Sequence, residues 1–116
     1  MARMRQPQNK PLLGKSGMKM WRRYAPLLPN QATESDWDLL ENYCLQFAMN
    51  QQSASEIQEQ GSTVTNGAGT RVQNPANAMF NATSKQIVVL AKELNLTALS
   101  QHRNQLESEE DDGFDA

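Results

Sequence analysis

One cysteine, Cys44, and one histidine, His102, are the side chains of this chain best suited to nucleophilic or imidazole chemistry. Catalysis of that kind needs a nucleophile, a base and an orienting group that converge, and single copies with scattered carboxylates do not supply the set. Cys44 falls on an apolar helical stripe, where it reads as a small buried hydrophobe. His102 stands beside Arg103 on a polar stretch and reads as surface. No His or Cys pair has metal-ligand spacing, and the acids Glu109 to Asp112 lack the loop that calcium requires. Neither metal nor cofactor is expected, and the chain is not expected to be an enzyme. The glycines of Asn66-Gly67-Ala68-Gly69 lead into Thr70-Arg71-Val72, whereas a phosphate-cradling loop ends in Gly-Lys-Ser/Thr and opens a helix.

Charge is more informative. The net charge of −2 hides two ends of opposite sign. Residues 1–25 carry Arg3, Arg5, Lys10, Lys15, Lys19, Arg22 and Arg23 and no acid, while residues 106–116 carry Glu107, Glu109, Glu110, Asp111, Asp112 and Asp115 and no base. An uncompensated basic segment suits a polyanion, so these seven bases are the candidate residues for binding one, DNA among them. Trp21 and Tyr24 interleave with Lys19, Arg22 and Arg23; their rings either stack on bases or pack the helix onto its neighbour, and the second division of labour leaves the bases outward. An acidic end is a solubilising or partner-docking segment.

The elements that position these residues follow from local signals. A chain of 116 residues supports one domain with a modest core, which association with further copies would enlarge. Pro7, Pro11, Gly14 and Gly17 mark 1–17 as a disordered basic arm, with a short helix near 18–26 stopped by Pro26 and Pro29. Thr33, followed by Glu34 and Asp36, caps a helix over 34–59, with Trp37, Leu40, Cys44, Phe47 and Ala48 on one stripe and Gly61 as its end. Thr63 to Gln73 reads as a small β-hairpin or loop around Asn66-Gly67. Asn74-Pro75 opens a helix over 75–94 with Met79, Phe80, Thr83, Ile87, Leu90, Ala91 and Leu94 on one apolar stripe. The two long helices are expected to pack as an antiparallel hairpin, and Thr97 to cap a last helix to 106. The fold class is all-α. No apolar run approaches the roughly 20 residues that span a bilayer; with the lone cysteine, this makes a soluble cytoplasmic protein without membrane partners the expectation.

This pattern is similar to the small subunit of tailed-phage terminases. The resemblance rests on the basic lead-in to Trp21, on Thr33-x-x-Asp36-x-x-x-Leu40-x-x-Tyr43-Cys44, on the Gly61 turn, and on RVQNPANAMFNATSKQIVVLAKELNLTALSQHR. The chain departs from the family at Asn95, where Gly is frequent, at Ala98, where Pro is frequent, and at Gln101, where a base is expected. The resemblance implies a helical oligomerisation and DNA-packaging domain over 18–106, a ring-forming homo-oligomer, double-stranded viral DNA as ligand, and host cytoplasm as setting. It also implies a large terminase subunit that carries the ATPase and nuclease. The disordered acidic tail, 107–116, is then expected to dock that subunit through Glu109, Glu110, Asp111, Asp112, Phe114 and Asp115, with Phe114 as anchor. The alternative is a small helical DNA-binding regulator or nucleoid-type protein, which a 14-residue β-prone connection between the long helices fits poorly.

Overall fold

The computed structural model describes residues 5–95; Arg3, the expected helix over 97–106 and the acidic tail lie outside them. The order is α1 (Lys10–Tyr24), a 3-10 turn (Ala25–Leu27), α2 (Glu34–Gln60), β1 (Thr63–Thr65), β2 (Arg71–Gln73) and α3 (Ala76–Leu94). The protein is mainly helical, with one two-stranded antiparallel ribbon pairing Val64 with Val72. Among the described residues no helix is long and apolar enough to cross a membrane.

Local chemistry sets the ends of α2. The Thr33 hydroxyl accepts from the Asp36 amide at 3.3 Å and the Asp36 carboxylate accepts from the Thr33 amide at 2.9 Å, a reciprocal cap that satisfies donors the helix cannot. Gly61 closes the helix at φ 86°, donating to the Ile57 carbonyl at 2.7 Å. Pro75 leads into α3 with helical φ and ψ, and the Asn74 side chain accepts from the Ala76 amide at 3.0 Å. Asn95, left-handed at φ 56°, ends α3 in the role glycine more often fills.

The start of α1 corrects the expectation of a disordered arm over 1–17 and a helix beginning near 18. Of the described part, Lys10 to Gly17 is already helical apart from a break at Gly14, and Leu13 is only 1% exposed. Pro11 lies in the first turn, where its missing amide hydrogen costs nothing. Gly14, at φ 62°, interrupts the helix at a kink, and the helix resumes after it. The amides that lead into it are satisfied from another helix: the Glu41 carboxylate accepts from the Gln8 amide and from that of Asn9, the cap position, at 2.6 and 3.1 Å.

α1 and α3 both pack on α2. Leu13, Met18, Met20, Trp21 and Ala25 meet Leu40, Tyr43, Cys44 and Leu90 in one cluster, with Phe47, Ile87 and Leu94 half-buried at its edge. Along α3 the partners on α2 run backwards: Asn74 bonds Gly61, Thr83 bonds Asn50, and Leu90 joins Leu40 and Cys44. The helices therefore run antiparallel. Asn50 is the polar exception in their interface, 9% exposed, with its amide donating to the Phe80 carbonyl and the Thr83 and Ser84 hydroxyls at 3.3, 3.1 and 2.8 Å. Asn50→Ala is expected to lower stability by about 1–2 kcal/mol, because it leaves buried acceptors unmatched; a urea unfolding midpoint equal to the parent's would contradict this.

Candidate nucleic-acid interface

Six of the seven candidate bases lie among the described residues, and they fall into separate groups. After the bend at Gly14, one continuous stretch carries Lys15, Lys19, Arg22 and Arg23, all exposed. Their spacings of four, seven and eight place them within an arc of about 100° over about 12 Å of helix. Gly17, Met18, Met20 and Trp21, which point elsewhere around the same helix, are buried. The stripe is thus held by the face that packs on α2. No acid occurs anywhere in residues 1–33, so nothing on α1 itself neutralises it. Lys10 is exposed on the turn before the bend, outside this arc.

Arg5 does not join the stripe. Its guanidinium grips the Glu34 carboxylate with both terminal nitrogens and lies 5.0 Å from the centre of the Trp37 ring. The hydrogen bonds to Arg5 hold the Glu34 carboxyl below its ordinary value, and Glu34 in turn raises the guanidinium. The Arg5 carbonyl accepts the Trp21 indole N–H at 2.8 Å. A count of charges cannot reveal this, because the partner stands 29 residues away in sequence.

The interleaved aromatics are structural. Trp21 is 1% exposed and lies 5.7 Å from Trp37, while Tyr24 meets Tyr43 edge-on at 5.8 Å. Burial, with Tyr24 alongside, pushes Tyr43 up to about 12. Trp21 therefore offers no free face for stacking, and Tyr24, half-buried, has its ring engaged by Tyr43. Cys44 is fully buried, and burial raises its thiol to about 12, assisted by Glu41. A thiol so placed is neutral and shielded. Native protein at pH 8 is expected to leave Cys44 unmodified by a maleimide, with stoichiometric labelling once urea unfolds the chain; rapid native labelling, read by mass, would contradict the burial.

The sequence reading passed over one further base. Arg71 lies on the exposed ribbon between α2 and α3, and no acid occurs from Gln60 to Lys92. Its signal was the strand alternation of Thr63, Thr65, Arg71 and Gln73.

A family model described as the small subunit of phage terminase matches residues 17–111. No curated protein and no solved structure matches the chain.

Proposed function

Because the chain belongs to the phage terminase small-subunit family, we propose that it engages double-stranded viral DNA and recruits the large ATPase–nuclease subunit for packaging, itself without catalytic activity. The observation that carries the DNA-binding part is the acid-free stripe of Lys15, Lys19, Arg22 and Arg23 on a helix anchored by its opposite side. A duplex carries one charge per 1.7 Å of axis with both strands counted, so a stripe of roughly 12 Å runs along a length that carries about seven, of which those on the near side are within reach. Lys10 and Arg3 extend the same attraction. Contacts of this kind set affinity and position without reading sequence.

Copies assembled in a ring would present several stripes to one duplex and gain strength through effective concentration. The acidic tail, with Glu109, Glu110, Asp111, Asp112 and Asp115 around Phe114, would be repeated in the same way toward the large subunit. The regulator alternative finds no support in the fold, where α2 and α3 are joined by a β-ribbon and not by the short turn of a DNA-reading helix pair.

Changing Lys15, Lys19, Arg22 and Arg23 to Gln in the full chain is the direct test. The slope of log affinity against log salt should flatten by about 3–4 per subunit engaged, from counterion release of about 0.9 per phosphate contact. An unchanged slope in a folded variant would move the site to Lys85, Lys92 or Arg103. Native mass then separates assemblies: a ring agrees with packaging, a dimer with a regulator, a monomer with a simple adaptor. Equal capture of the large subunit by the full chain, by a chain ending at Leu106 and by Phe114→Ala would remove the tail from recruitment.

A further inference from the structure

The ribbon between α2 and α3 is fastened at both ends yet buries almost nothing. At its base the Asn74 amide and the Asn77 side chain both donate to the Ser62 carbonyl, at 2.9 and 2.8 Å, and the Asn74 side chain donates to the Gly61 carbonyl at 3.0 Å. At its tip the Asn66 side chain accepts from the Ala68 and Thr70 amides, both at 3.0 Å. Strands of three residues are marginal alone, and none of their side chains belongs to the core cluster. Hydrogen bonds hold the ribbon in shape.

Its two faces differ in kind. The register pairs Thr63 with Gln73 and Thr65 with Arg71, so strand alternation puts these four on one face and Val64 and Val72 on the other. The Arg71 guanidinium donates to the Thr63 hydroxyl on the diagonal, as a shared face requires. All four polar residues are exposed. An arginine, a glutamine and two threonines are the side chains that pair with guanine, with adenine, and with thymine methyl or phosphate in the major groove, which is wide enough to admit a two-stranded ribbon. The acid-free run from Gln60 to Lys92 complements a polyanion.

We propose that this polar face, Thr63, Thr65, Arg71 and Gln73, is a second DNA site that reads base edges in the major groove, while the α1 stripe grips the backbone. The assignment rests on the DNA-binding reading above. A docked protein would call for an apolar anchor, and Val72, the exposed apolar residue of the ribbon, lies on the opposite face.

The test uses the full chain and a pool of random-sequence duplexes carried through repeated selection. The parent protein should enrich a motif. Arg71→Ala with Gln73→Ala should bind the enriched duplex about 5- to 150-fold less selectively against a scrambled one, the range of a bidentate base contact, with the salt slope lowered by about 1 at most. Arg71→Lys should lose selectivity with its slope unchanged, since charge is kept and the planar fork is lost. The α1 quadruple variant should weaken binding to both duplexes alike and keep the preference. Tight binding by the parent without any motif, or a preference unaltered in the double variant, overturns the ribbon site alone. Absence of duplex binding by the parent overturns the DNA reading as a whole. An unaltered DNA preference with lost capture of the purified large subunit would make the ribbon a protein contact and overturn the proposal.

Discussion

Trp21→Ala is expected to cost about 3–5 kcal/mol of folding stability, the range for deleting a large buried ring. That is a large share of the 5–15 kcal/mol typical of a domain. The ring is 1% exposed, lies against Trp37, and donates to the Arg5 carbonyl at 2.8 Å. Its removal opens a cavity between α1 and α2 and frees the Arg5 carbonyl, one of several points at which the segment from Arg5 to Asn9 is held. Trp21→Phe separates these effects: most of the ring volume stays, the indole N–H goes, and the cost should fall to about 1–2 kcal/mol. Urea titration followed by circular dichroism at 222 nm measures both. A Trp21→Ala midpoint within error of the parent's would mean that α1 contributes little to the fold.

Gly17→Val is the second large effect, at about 3 kcal/mol, the upper end of overpacking costs. A Cβ built at Gly17 stands 2.7 Å from the Leu13 Cβ one turn back in α1, so the turn around Gly14 must shift, and 3.1 Å from the Cys44 carbonyl oxygen, so larger side chains also press on the backbone of α2. Against this, leaving glycine in a helix forgoes only about 1 kcal/mol of helix propensity relative to alanine. The clash therefore wins even for Gly17→Ala. Gly67, with nothing within 4 Å of its added Cβ, serves as the control, and Gly67→Ala should shift stability by less than about 0.5 kcal/mol. Thermal melts of the three variants would decide it; parity between positions 17 and 67 would disprove the close approach.

These two residues also mark where sequence reasoning reached and where it stopped. Trp21 packed as its spacing with Tyr24 suggested, and both ends of α2 lay where Thr33 and Gly61 put them, because caps and stripes are local. The start of α1 was missed because the same four residues, Pro7, Pro11, Gly14 and Gly17, have two meanings. In isolation they break helices; here Glu41 accepts from the amides at the start of α1 and the backbone of Cys44 comes close to Gly17, where the missing side chain leaves room. Both partners lie some 27 to 33 residues away, beyond any local pattern. The basic stripe was legible as charge and only partly as geometry. Lys15, Lys19, Arg22 and Arg23 share an arc, but Arg5 is held by Glu34, and that separation is a tertiary fact. The polar face of the ribbon had a period-two signal too short to stand out from turn residues.

The trio of Asn50, Thr83 and Ser84 carries a consequence for how such a sequence drifts. Removing one partner costs the others a bond inside the helix interface, whereas exchanging the whole set for well-packed apolar side chains is close to neutral. Single substitutions at any of the three positions are therefore steps downhill, and a compensated pair is worth more than its parts. A double-mutant cycle between Asn50 and Thr83 should accordingly be non-additive. Over generations the three sites would behave as one character, changing together or staying put, while the exposed Gln51 and Gln52 beside them on α2 vary independently.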